Sequence, residues 1–508
     1  MTKTPSSRLF VLIKSMSSSE KRYFKIVSQE DSHSKYNKLF DAINRQKMFN
    51  DDALYRKVYG KDPADSRKYS ELKAYLYDAI LRALQQYEEQ YSVDFQVKVL
   101  LQQARVLYRR SLFDDCYYLL NRAARLARRY ELFEPLLEIL DWDKRIAYAR
   151  ADIDYFNEHL ARIAAEEAHC LDLIANYKAY QQLFFQVLVQ VRKNALTPNT
   201  GSALNDHPLL LSPEAAKSYR ARVLYYRARS IVSYSLQQND LFYTLSQELL
   251  ALMEDRPTLL KEDVSEYISA LSNFAVGCGR LGRYDEVRAC LHKLYHVKPV
   301  TLDDELKIHR QYYAIYFRLC IESGAFDEGL RLLRQHLNEV ERLDKDLFER
   351  SSFYFQYFYI YFGAQQYPQA LEYLNHWLNL PKTVEREELQ SLARILNLVI
   401  HYEMDNTLLL DSLLRSTYRF LNKRRKLLKF ERRLIHYLRL ITREYGRSSH
   451  RSLFESLKLE LAELALQKTE RAMLQLFDFD AWLTSKIEQR PFALIVREKF
   501  LQQALKNA

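Results

Sequence analysis

Apolar residues recur along most of this chain at spacings of three and four. Tyr312, Tyr313, Tyr316 and Phe317 show the pattern, and Phe353, Tyr354, Tyr357 and Phe358 repeat it. That spacing places side chains on one face of an α-helix. A recurring junction punctuates the helical stretches. Phe113, Tyr284, Phe326 and Tyr367 each stand as an aromatic, usually followed by an acidic pair, with a small or apolar residue at +3 and usually Leu at +7. Tyr284 to Phe326 is 42 residues and Phe326 to Tyr367 is 41. The same step forward reaches Leu408 and then the region of Ser449 and His450. Backward it reaches Leu241, Ile153 and Phe113 in steps of 43, 88 and 40, the double step bracketing residues 195–213. Pro257, Pro299 and Pro381 follow Leu241, Tyr284 and Tyr367 by 16, 15 and 14 residues, and proline cannot continue a helix. The repeating unit predicted is helix A, tight turn, helix B and a short break.

Composition agrees with the periodicity. The 508 residues include 9 glycines and 11 prolines, too few for the turns of a sheet-rich fold, while 48% apolar residues supply a large core. The reading is all-α. No apolar run reaches the roughly 18 residues of a membrane span. Leu9 to Ile13 is too short for the apolar region of a secretion signal. Cys116, Cys170, Cys278, Cys290 and Cys320 are odd in number, scattered and without a C-x-x-C, which predicts reduced, mostly buried thiols in a cytoplasmic protein.

Gly277, Gly279 and Gly282 match G-x-G-x-x-G, the dinucleotide-binding fingerprint. That loop requires a preceding strand within a βαβ unit. The stretch before it, EYISALSNFAV, instead shares a helical register with other repeats, so Gly282 reads as the interhelical turn glycine, matched by Gly324. The segment GRYDEV (282–287) resembles the turn of the tetratricopeptide repeat, Pro299 matches that family's terminal proline and Ala275 its small residue in helix A. The resemblance covers roughly residues 95–465 and is strongest over 265–382. The period departs from the family's, 40 to 43 residues against about 34. It implies a right-handed α-solenoid of helix pairs whose groove holds a peptide. The pattern KSMSSSEKRYFK (14–25), followed by the repeats, also resembles uncharacterised helical-repeat proteins of Bacteroidetes-type bacteria, which implies no activity.

The expected division is an N-terminal helical domain (1–92), a solenoid (93–469) with a loop insertion (196–213), and C-terminal capping helices (470–508). Ser17 and Glu20 form a capping box for a helix KRYFKIV, and further helices follow at KYNKLFDAINRQ, DDALYRKVYG and 66–91. The N-terminal domain caps or oligomerises, or reads DNA, although it lacks a helix-turn-helix glycine turn. The loop is a lid, a partner contact or slack.

No Walker, H-E-x-x-H or G-x-S-x-G motif occurs, so no enzyme, cofactor or metal is expected. His292 and His296 stand at i, i+4 but lack further ligands at a recognised spacing. Acidic pairs such as Asp114 and Asp115 recur with the turn and suit the N-terminus of helix B. Residues 415–451 hold 13 Lys/Arg against Glu431 and Glu444, a net +11 that equals the whole chain's charge. The candidate anionic-partner patch is Arg415, Arg419, Lys423, Arg425, Lys426, Lys429, Arg432, Arg439 and Arg443, backed by the apolar Leu427, Leu434, Leu438 and Ile441. Tyr418, Phe420, Phe430, Tyr437 and Tyr445 interleave with it. It is a solvated face, a nucleic-acid surface (RNA more than DNA) or a site for an acidic protein. The run FYFQYFYIYF (353–362) carries eight aromatics in ten residues, more than one helix face can hold. Tyr312, Tyr316, Tyr354, Tyr357 and Tyr361 are therefore the candidate partner-binding groove, with a tyrosine-rich core as the other reading. The expected function is a non-enzymatic scaffold binding a protein or peptide; the alternative is a nucleic-acid-associated protein using residues 415–451.

Overall fold

The computed structural model describes residues 7–28, 34–60, 66–192, 204, 206–342, 353–379, 387–423, 428–443 and 447–507. Every regular element among them is helical, and none of these helices is long and apolar enough to cross a membrane. The chain divides into two compact units, residues 1–270 with 298–305, and residues 271–297 with 306–508. In each, helices pack mainly on their neighbours in sequence, the pattern of an all-α solenoid.

The first unit opens with α1 (Arg8–Ser15), α2 (Ser18–Val27), α3 (Lys35–Arg45), α4 (Asp51–Tyr59) and α5 (Ser66–Glu89). The capping box forms as read: Glu20 N donates to Ser17 Oγ at 3.2 Å and Ser17 N to Glu20 Oε2 at 2.6 Å. Leu39, Phe40, Ile43, Leu76 and Ile80 make a core of their own. Then come α6 (Val93–Tyr108), α7 (Phe113–Arg129), α8 (Phe133–Ala149) and α9 (Ile153–Arg192), followed by two short 3₁₀ turns, α10 (Tyr219–Ser235), α11 (Asn239–Glu254) and α12 (Pro257–Leu260). The second unit holds most of α13 (Val264–Arg280), α14 (Tyr284–Tyr295), most of α15 (Leu302–Ser323), and then α16 (Phe326–Arg342), α17 (Tyr354–Gly363) and α18 (Tyr367–Leu378). It continues with α19 (Glu387–Glu403), α20 (Thr407–Lys423), α21 (Lys429–Arg443), α22 (Arg447–Leu464), α23 (Lys468–Leu474), α24 (Phe479–Glu488) and α25 (Phe492–Asn507).

One junction recurs. Phe113, Phe133, Ile153, Asn239, Tyr284, Phe326, Tyr367 and Thr407 are first helical residues. Two positions before each stands a left-handed residue: Ser111, Glu131, Ala151, Gln237, Gly282, Gly324, Gln365 and Asp405, with φ from 52° to 74°. The next residue's N–H then bonds the carbonyl five positions back, as in Arg283 N to Cys278 O (2.9 Å) and Ala325 N to Cys320 O (2.9 Å). These are Schellman closures. Phe113, Tyr284, Phe326 and Tyr367 thus occupy equivalent positions, and Gly282 is a turn residue, not a phosphate loop.

Three details differ from the sequence reading. The junction near Leu241 starts two residues earlier, at Asn239, and that near Leu408 starts at Thr407. The 40-residue step from Phe113 to Ile153 contains a further closure at Glu131, because α7 and α8 are joined by the same turn as α8 and α9. After Ile153 a single helix of 40 residues stands where a helix pair was expected. The insertion is fastened in its described part: Tyr180 Oη donates to Leu209 O at 2.8 Å and Leu210 is buried. Residues 196–203 and 205 lie outside the described residues.

The junction aromatics are knobs. Phe326 presses on Gly363, where an added Cβ would lie 2.2 Å from the ring. Gly363→Ala should therefore lower the melting temperature, overpacking of ~1–3 kcal/mol outweighing a helix-propensity gain of ~1 kcal/mol. Thermal unfolding followed by circular dichroism checks the sign, and adding Phe326→Leu should restore part of the loss.

Candidate functional site

Helix α17 carries aromatics on several faces. Tyr354, Tyr357 and Tyr361, at i, i+3 and i+7, form one of them. Tyr354 and Tyr361 are half-buried and stand with Tyr373 and His376 of α18. Tyr361 stacks on Tyr373 at 5.6 Å, and Tyr354 lies 5.6 Å from His376. A second group of rings joins Tyr295 to Tyr312 (4.9 Å, tilted) and Tyr312 to Tyr316 (5.6 Å, edge to face). Tyr312, Tyr354, Tyr361 and Tyr373 all rest on one buried cluster that includes Tyr313, Phe317 and Phe353. Gln356 Nε2, donating to Ala314 O at 3.0 Å, ties α17 to α15. Tyr316 is oriented by its hydroxyl, which donates to Glu328 Oε1 at 2.6 Å. Burial would raise the Glu328 carboxyl, but hydrogen bonds from Tyr316 and Arg288 outweigh it and hold the group below its ordinary range. Four of the five candidate tyrosines thus keep partly open rings. Tyr357 does not: it is buried and hydrogen-bonds His336 Nε2.

The sequence reading missed what lies beneath. His309 and His336 stack at 4.8 Å inside a box of Tyr313, Phe317, Phe353 and Tyr357. His309 Nε2 is 3.2 Å from Glu339 Oε2. Burial drives His309 down to about 4 against the opposing pull of Glu339, and drives His336 down to about 3 with His309 adding to the effect. Both imidazoles stay neutral at physiological pH. They sit 27 residues apart on α15 and α16, so no local spacing signalled them.

On a further face of α17, Tyr359 and Phe362 meet the C-terminal segment. That segment does more than close the last repeat. Phe477 stacks on Tyr359 at 5.0 Å, Asp478 N donates to Tyr359 Oη at 2.9 Å, and Phe492 lies 5.8 Å from Phe326. Phe500 reaches Tyr284 at 4.4 Å. Glu403 accepts from Trp482 Nε1 and Lys486 Nζ, both at 2.6 Å. The junction aromatics Tyr284 and Phe326 are therefore covered by the chain itself.

Of the apolar side that was read, Leu434, Leu438 and Ile441 of α21 are buried, together with Phe430, and Leu427 lies outside the described residues. Their cations are partly engaged. Arg415 pairs with Asp411, Arg433 with Glu460 at 3.0 Å, and Lys429 Nζ donates to Gln467 at 3.3 Å. Arg439 covers the Tyr418 ring at 4.9 Å. Arg419 and Arg432 are exposed. Arg425, Lys426 and Tyr445 lie outside the described residues, as do the side chains of Lys423 and Arg443. Phe430 is core and Tyr437 donates to Glu460 at 2.8 Å, so neither is a stacking platform. At the start of α21, Glu470 accepts from Lys429 N and Phe430 N, and burial pushes the nearby Glu431 up to about 7.

His292 and His296 lie 4.3 Å apart, with Nδ1 of His296 turned to the carbonyl of His292. No group of three His, Cys, Asp or Glu side chains converges as a metal site among the described residues. The five cysteines are buried, and none is in a disulfide. Comparison with family models, with curated proteins and with solved structures finds no match.

The two buried histidines make acid stability a readout of this cluster. Unfolded histidine titrates near about 6.5. Their folded values are depressed, so their contribution is complete above about 6.5 and is lost as pH falls toward 4, where only the unfolded state takes up protons. Between about pH 7 and pH 4.5 the wild-type melting temperature should fall faster than that of His309→Gln/His336→Phe. Glu431, raised by burial, acts in the opposite sense and cancels in the comparison. Parallel curves would mean that the imidazoles titrate in the folded protein as they do in the unfolded chain.

Proposed function

We propose that this chain is a non-enzymatic interaction scaffold that binds a protein or peptide segment along the open tyrosine face of α15, α17 and α18. One observation carries the reading. Of the aromatic faces of α17, one is filled by the chain's own C-terminal helices, while the other leaves Tyr354 and Tyr361 half-open beside Tyr373 and His376. Tyrosine rings offer broad apolar area at low entropic cost and a hydroxyl for the bound backbone. The resemblance of residues 282–287 to the tetratricopeptide turn supports the same use of the surface. Five buried cysteines outside any disulfide support a reducing compartment, and we place the protein in the cytoplasm.

The second reading, an anionic partner on α20 and α21, has less behind it, since Arg415, Arg433 and Arg439 already hold partners. Selection of peptides from a display library on the immobilised full chain separates the two. Ligands of the tyrosine face should lose about tenfold or more in affinity with Tyr312→Ala/Tyr361→Ala, about 1.4 kcal/mol. They should change little between about 50 and 200 mM salt, where six to ten phosphate contacts would lose about 10³-fold or more. Arg432→Glu/Arg439→Glu should leave them unaffected. Binding that survives the tyrosine changes and disappears with the arginine changes would overturn the proposal.

A further inference from the structure

The basic helix α21 begins on two carboxyl groups. Glu431, at its third position, turns back so that Leu428 N donates to Oε2 at 3.0 Å. Glu470, from the first turn of α23, accepts from Lys429 N and Phe430 N, both at 3.0 Å. Side chains thus cap three backbone N–H groups at the start of α21. Both carboxyl groups are buried: Glu431 is 1% exposed and Glu470 5%. Yet Glu431 Oε1 has no hydrogen-bond partner among the described residues. A buried carboxylate with a bare oxygen beside a second carboxylate is costly, whereas the neutral, protonated carboxyl is tolerated. Capping alone does not call for an acid at this position, because glutamine fills the same role.

We propose that Glu431 and Glu470 form a proton-operated latch: while Glu431 keeps its proton, α23 stays seated on the start of α21, and loss of that proton to solvent releases it. Burial lifts Glu431 up to about 7 against the pull of the Leu428 N–H bond, and the charge of Glu470 adds to the rise. Among the described residues Glu470 is the charged group that bears on Glu431. Ionic groups on the elements packed against α21 are turned elsewhere. Arg394 of α19 covers the Phe420 ring, Glu403 of α19 takes Lys486, and Asp411 and Arg415 of α20 pair with each other. Glu460 of α22 pairs with Arg433, Arg471 of α23 donates to Ala465 O, and Lys429 of α21 to Gln467. With the latch open, Glu431 titrates near its ordinary value of about 4.3. The closed value is raised, so opening releases a proton. The open fraction therefore grows as pH rises from about 4.5 toward 7 and levels off above that. Met473 of α23 and Phe430 of α21 are buried in one apolar cluster, so release loosens that part of the core. The tyrosine face lies on other helices, and this proposal stands or falls apart from the peptide-binding one.

Hydrogen exchange resolved to single amides of the full chain, corrected for the intrinsic pH dependence of exchange, reads the latch. Protection at Leu428, Lys429 and Phe430 should fall about five- to tenfold per pH unit between about pH 5 and 7, one proton being released, and change little above about pH 8. Leu434 and Leu438, further along α21, should keep theirs. Glu431→Gln, neutral at every pH, should hold protection at Lys429 and Phe430 constant. Glu470→Gln, which removes the second charge and leaves Glu431 in place, should end the fall at lower pH than in the wild type. Constant protection in the wild type, a fall shared equally by Leu434 and Leu438, a fall that persists in Glu431→Gln, or one that Glu470→Gln leaves unshifted would each overturn the proposal.

Discussion

At eight junctions among the described residues, one helix must stop and the next must start in reverse within about three residues. The device that does this is a single left-handed residue whose successor bonds back five positions. Six of the eight such residues are not glycine, and each of those costs about 1–2 kcal/mol in backbone strain. At Glu131 the burial of the adjoining Leu132 offsets it, since a fully buried Leu gains about 1.5–3 kcal/mol. The stacking of helices repeats because the closure repeats.

With the helices held this way, the aromatic content has a place to go. Tyr313, Phe317, Phe353 and Tyr357 fill the space between α15, α16 and α17. The junction aromatics Tyr284 and Phe326 point to the row that the C-terminal helices cover. What remains on the outside is the partly open stack around Tyr312, Tyr316, Tyr354 and Tyr361.

The architecture was legible because helical periodicity and scarcity of glycine are strong signals, and because Gly282 and Gly324 mark two turns openly. Where Gln237 and Asp405 take the left-handed position, no residue type announces it, and the start of the next helix was misplaced by two residues and by one. Glu131 hid a turn in the same way. The run 353–362 showed that one face could not hold all its rings, but not which ring faced where. Tyr357 and Tyr361 are four residues apart, and a pairing with His336, distant in sequence, buries the first. The doubling-back of Phe477 to Phe500 left no trace in sequence, because a contact 216 residues away, as between Tyr284 and Phe500, has no local pattern. The basic stretch was read correctly as a sum of charges; its neutralising partners Asp411 and Glu460 become visible only once the helices are packed.

Native-state hydrogen exchange on the intact chain tests the role of the turn most directly. The amides of Leu132, Gln238, Arg283, Ala325 and Gln366 sit between helices, where an ordinary surface loop exchanges freely. If the closures hold the stack together, these amides are protected about as well as mid-helix amides beside them, by a factor of about 10³ or more. Exchange at the rate of an unstructured chain at these five positions, with the helices still protected, would contradict the account.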